Sequence, residues 1–144
     1  MKTIKLLVPL LFCSVSILSA QSGISGKIDL DTTKWAPVVY LSLIPDFGQT
    51  NTISYDFIVE STQLSEDGTF LFQTSFLPHE EHLYRIHFSK KGDPPSSLII
   101  GGKDHNHTFL LANNEAEVLI NIKSGRKLLN GISFKGYKPN NALH

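Results

Sequence analysis

Ser65-Glu66-Asp67-Gly68-Thr69-Phe70-Leu71-Phe72-Gln73 is a tight turn opening into an extended run. Glycine reaches positive φ without a Cβ penalty, so Asp67-Gly68 marks a sharp reversal. The stretch before it, residues 54–62, is also extended. Tyr55, Phe57 and Val59 share one face there, and Asp56 and Glu60 the other. Two extended runs joined by Asp-Gly predict a β-hairpin.

The same period of two recurs on either side. Toward the N-terminus, Ile24, Gly26, Ile28 and Leu30 alternate with Ser25, Lys27 and Asp29, the pattern of a half-buried strand. A polar link, 31–37, closes on Pro37, and the run 38–44 is apolar on both sides until Pro45 stops it, which predicts a central strand. Toward the C-terminus, Tyr84, Ile86 and Phe88 alternate with Arg85 and His87. The breaker-rich stretch 90–97 follows, since Pro94-Pro95 excludes helix and sheet interior. Runs 98–100, 108–112, 118–122 and 132–134 read as further strands, divided by Gly101-Gly102, Asn113-Asn114 and Ser124-Gly125. No helical period survives the glycines, prolines and β-branched residues. About eight or nine short strands predict an all-β protein, an antiparallel β-sandwich.

Composition agrees with one such domain. The chain has 144 residues, 41% of them hydrophobic, with nine Phe, four Tyr and one Trp for a core. Met1 to Lys5 is a short basic start, residues 6–18 are almost wholly apolar, and Ser19-Ala20 supplies small residues before Gln21. This reads as a secretory signal peptide over 1–20, because the apolar run is shorter than the roughly 20 residues that span a bilayer. Its removal takes Lys2, Lys5 and the single Cys13, leaving no thiol chemistry and no transmembrane helix in the mature segment. Eleven basic residues then face 13 acidic ones, too few to hold nucleic acid by counterion release. The sandwich is expected over 21–137, with 138–144 beginning a linker or a truncated C-terminal region.

Few residues form a pattern that carries chemistry. Asp104-His105-Asn106-His107 puts two alternate imidazoles and a carboxylate in one loop, so His105, His107 and Asp104 are the candidate metal ligands. The competing reading is a polar turn. His87 beside Arg85 on the polar side of its strand predicts a cross-strand contact. Trp35, before Ala36-Pro37, is expected to plug one end of the sandwich. Asn106-His107-Thr108 fits the glycosylation acceptor pattern. Gly23-Ile24-Ser25-Gly26 lacks the spacing of a nucleophile elbow, and Gly101-Gly102-Lys103 lacks the Ser or Thr of a phosphate loop. The sequence thus points to no catalytic residue and no cofactor.

Ser25-Gly26-Lys27-Ile28, Val39-Tyr40-Leu41, the 64–70 turn, Tyr84-Arg85-Ile86 and Ile132-Ser133-Phe134-Lys135-Gly136 with Asn140 form an ordered series. It resembles the β-sandwich domain of unknown function at the N-terminus of exported thioredoxin-fold oxidoreductases and other Gram-negative envelope proteins. The resemblance implies an immunoglobulin/transthyretin-like sandwich in the periplasm or at the cell surface. In that family the Cys-x-x-Cys activity belongs to a following domain, so no catalytic residue carries over. The expected function is a non-enzymatic exported module that binds an unknown protein or small ligand. The alternatives are a metal-binding protein using His105 and His107, and an accessory domain of a thiol-disulfide oxidoreductase.

Overall fold

The computed structural model of the chain describes residues 22–136. The expected export segment, 1–20, and the C-terminal stretch 138–144 lie outside them. Within them Ile24, Gly26, Ile28 and Leu30 are buried while Lys27 and Asp29 are exposed, as their alternation requires. The same arithmetic along the chain builds β1 (Gly23–Ile28), β2 (Trp35–Leu43), β3 (Ile58–Gln63), β4 (Thr69–Gln73), β5 (His82–Lys90), β6 (His107–Ala112), β7 (Val118–Lys123) and β8 (Gly131–Gly136).

These make two four-stranded sheets. Sheet I has the order β4-β1-β7-β8 and sheet II the order β3-β2-β5-β6. Neighbours run antiparallel except β1 and β7, which are parallel with Ile24 opposite Val118. β2 is central, as its two-sided apolar run predicts. Ile24, Ile28, Phe70, Phe72, Val118 and Ile120 from sheet I meet Val39, Leu41, Tyr84, Ile86, Phe88 and Leu110 from sheet II in one core. Each fully buried large side chain among them contributes about 2 kcal/mol. Gly26 makes room in that core, since a Cβ there would stand 2.4 Å from the Phe70 ring and 2.8 Å from the Ile120 carbonyl oxygen.

Three expectations change. The Asp67-Gly68 turn is real, with Gly68 at φ 79°, but it does not make a hairpin. β3 belongs to sheet II and β4 to sheet I. Leu64 N–H still bonds the Pro37 carbonyl, while the Gly68 carbonyl already accepts from Ile28 N–H of β1. The turn therefore rolls the chain from one sheet to the other, held by Asp67 Oδ1, which accepts from Ser65 Oγ at 2.6 Å and Thr69 Oγ1 at 2.8 Å. Residues 54–62 are not one strand: Tyr55–Phe57 is a 3-10 turn, and pairing starts at Ile58. Residues 98–100 are not a strand at all, because the Ile99 amide is taken by the Asn106 side chain at 2.8 Å.

Gly68→Val is expected to destabilise the protein by about 2 kcal/mol or more in urea unfolding, because a Cβ at this positive φ would stand 2.1 Å from the Ile28 carbonyl oxygen. An unchanged midpoint would contradict the inter-sheet turn.

Candidate functional site

β5 is buried on both faces. Tyr84, Ile86 and Phe88 point into the core; Arg85, His87 and Ser89 point the other way, yet none is more than 1% exposed. Two loops from opposite ends of the sandwich close over this outer row. The β2–β3 loop reaches Arg85, and the β5–β6 loop reaches His87 and Ser89.

Arg85 Nη2 donates to the carbonyls of Gln49 at 2.9 Å and Thr50 at 2.7 Å. Its guanidinium lies 5.9 Å from the Phe109 ring centroid, its Nε has no partner, and among the described residues it forms no ion pair. A buried cation is thus held by backbone dipoles and a ring face, and burial pulls its pKa down. The two carbonyls belong to the 3-10 turn at Phe47–Gln49 and the residue after it. That turn is further tied by Gln49 Nε2 to Asp46 at 3.0 Å and Thr50 Oγ1 to the Phe47 carbonyl at 3.1 Å. Its backbone is anchored to the sheet, while Phe47 is 85% exposed and Tyr55, further along the loop, 57%.

His87 Nε2–H donates to the Pro95 carbonyl at 2.8 Å, which leaves Nδ1 as the acceptor facing Ser42 Oγ at 3.5 Å. Tyr40 stacks on the imidazole with centroids 5.0 Å apart, and His107 sits directly opposite on β6, which is the cross-strand contact expected of His87. Ser42 and His87 have the residue types of a nucleophile and its base, but both are 0% exposed and the separation is long, so the pair packs the sheet. Burial drives His87 down to about 4, with Arg85 lowering it further against the opposing Pro95 bond. His107 falls to about 4 for the same leading reason, with His105, Arg85 and His87 adding to it.

The candidate metal residues divide. His105 and His107 do come together, with ring centroids 4.3 Å apart. Asp104 instead accepts from Lys34 Nζ at 2.6 Å and pairs with Lys90 Nζ at 2.9 Å, which holds its carboxyl at about 2. His105 Nδ1 accepts from the Gly101 amide at 2.9 Å, so in the neutral ring the proton is on Nε2 and neither nitrogen offers a lone pair. Among the described residues no three His, Cys, Asp or Glu stand together as ligands would. Asn106 is 0% exposed: its Nδ2 donates to the carbonyls of Phe88 and Ser97, and its Oδ1 accepts from Ile99 N–H. The folded chain therefore offers no amide for glycosylation there. Trp35 is 3% exposed in the core at the end where β1–β2, β5–β6 and β7–β8 loops gather, as a plug should be.

Sequence alternation missed that the polar row of β5 is the covered one. A Pro-Pro segment immediately after a strand with His and Arg outward was the available signal. No helix among the described residues is long and apolar enough to cross a membrane.

Asn106→Ala removes one buried and two half-buried hydrogen bonds and leaves the Ile99 amide without its acceptor, so a loss of about 3 kcal/mol is expected in denaturant unfolding. For His87 the folded pKa of about 4 lies below the ordinary 6.5. Between those values the unfolded chain binds a proton the native one refuses. Stability contributed by the neutral ring is complete above pH 6.5 and falls by about 1.4 kcal/mol per unit below it. Melting temperature should drop from pH 7 to pH 5, and His87→Gln should flatten that slope; an equally steep slope in the variant would contradict it.

No protein-family model, curated protein or solved structure matches this chain.

Proposed function

We propose that this chain is a non-enzymatic, exported β-sandwich module, the N-terminal part of a longer protein, that binds a protein partner in the cell envelope through its β2–β3 loop. One observation carries the reading: Phe47 is 85% exposed on a turn whose backbone is bonded to the buried Arg85. A large apolar side chain held out in water on a fixed backbone loses little freedom on docking, the property of an interface anchor. Tyr55 adds a second aromatic on the same loop, and exposed Val59 lies on β3, the edge strand of sheet II. Export rests on the basic and apolar start of the chain, and the envelope location on the ordered motifs from Ser25 to Asn140.

Charge supports a basic partner. From residue 35 to residue 84 the chain has seven acidic residues and no Lys or Arg. Asp46 and Asp56 flank the two aromatics, and Glu60 lies on the edge strand. The fitting occupant is an extended peptide segment with Lys or Arg beside aliphatic residues, which would pair with β3 and cover Phe47.

A peptide array probed with the purified protein is expected to retain basic-aliphatic sequences preferentially. Phe47→Ala with Tyr55→Ala should weaken a selected peptide about tenfold, or about 1.4 kcal/mol, with unchanged melting temperature. Equal binding by the double variant, or retention of acidic peptides instead, would overturn the assignment.

A further inference from the structure

The end of the sandwich opposite the aromatic loop carries a cleft of about 390 Å³. Three loops build it. Asp29, Asp31 and Lys34 come from the β1–β2 connection, Lys103 and Asp104 from β5–β6, and Ser124 through Leu128 from β7–β8, with Trp35 closing the base. These loops are tied to one another rather than merely adjacent. Leu128 N–H donates to the Lys103 carbonyl at 2.9 Å, Ser124 Oγ donates to the Asp29 carbonyl, and Lys34 Nζ reaches Asp104 across 70 residues of chain at 2.6 Å. Lys91 N–H also donates to the Lys34 carbonyl at 3.0 Å. The cleft is therefore preformed, and ordering it costs a ligand little.

Its charges are unevenly spent. Asp104 is consumed by Lys34 and Lys90, and Asp31 Oδ1 is turned onto Thr33, accepting from its N–H at 3.0 Å and its Oγ1 at 2.6 Å. The side chains of Lys103, Arg126 and Lys127 have no hydrogen bond or ion pair among the described residues, and neither has the Asp29 carboxylate. Three unpaired cations therefore line the cleft together with the Asp29 carboxylate, which accepts from no group among the described residues, and with Asp31, whose Oδ1 is engaged by Thr33. The described residues include ten Lys and Arg against 13 Asp and Glu, so the gathering of Lys34, Lys103, Arg126 and Lys127 at one cleft runs against the net charge of the body.

We infer that this cleft binds a sugar carrying an anionic substituent, phosphate or carboxylate. The fork of Arg126 and the ammonium groups of Lys103 and Lys127 take the charge. Asp29 accepts hydrogen bonds from ring hydroxyls, a role a bare oxyanion cannot fill and a neutral sugar fills without using the cations. The cleft is large enough for a monosaccharide. This site is separate from the β2–β3 loop and does not rest on the reading given for that loop.

Isothermal titration of the purified protein with glucose 6-phosphate, glucuronate, glucose and inorganic phosphate tests the assignment. Glucose 6-phosphate or glucuronate is expected to bind with a Kd tighter than about 1 mM, weakening as salt rises. Arg126→Gln with Lys127→Gln should cost about tenfold, and Asp29→Asn should weaken the acidic sugars without weakening inorganic phosphate, which gains from the lost negative charge. Because all three positions are on surface loops, melting temperature should not move. Absence of heat from both acidic sugars, inorganic phosphate binding as tightly as the sugar phosphate, or glucose binding as tightly as glucuronate would each overturn the inference.

Discussion

Arg85 has been taken out of water with no carboxylate against it among the described residues, and the outer face of sheet II is arranged around that fact. Removing a guanidinium from solvent costs several kcal/mol unless its donors are met and its charge is opposed by dipoles. The strand cannot supply those acceptors, because its own carbonyls are spent on β2 and β6. They come from Gln49 and Thr50, which draws the β2–β3 loop down across the sheet. Binding energy for the loop is thus electrostatic and directional rather than apolar. The loop can keep Phe47 in water because it does not need that side chain to stay folded.

The β5–β6 loop solves the same problem with different groups. His87 remains neutral and donates to Pro95, Ser89 donates to Pro94, and Asn106 substitutes for a missing strand by meeting two carbonyls and one amide. At the sandwich end a single carboxylate, Asp104, gathers Lys34 and Lys90 around Trp35. Each of these loops is held by buried or half-buried polar pairs that accept only one geometry. A sandwich whose connections are fixed in this way offers preformed surfaces at both ends.

The inward rows were legible because their period is set by the pleat. Ile24, Gly26 and Ile28, or Tyr84, Ile86 and Phe88, can face the core only together. The Asp67-Gly68 reversal was legible too, but its consequence was not, since a turn sequence specifies φ at one residue and says nothing about which strand the next run will pair with. Residues 98–100 looked like a strand because three apolar residues carry no information on whether their amides meet a strand or the side chain of Asn106. Of the metal reading, the i, i+2 spacing brought His105 and His107 together. Asp104 lies in the turn before them, where its carboxylate meets Lys34 and Lys90 instead.

What the amino-acid sequence determined alone was local: where the chain extends, which side of each strand is apolar, and where glycine or proline must interrupt it. These follow from backbone sterics and the two-residue period, which involve only near neighbours. The parallel pairing of β1 with β7, the passage of the chain between sheets at Gly68, the burial of Arg85 and the assembly of Lys103, Arg126 and Lys127 around one cleft were decided only by the tertiary structure. Each joins residues from separate strands or loops, and such contacts are chosen by the packing of the whole core and by the few acceptors it leaves within reach.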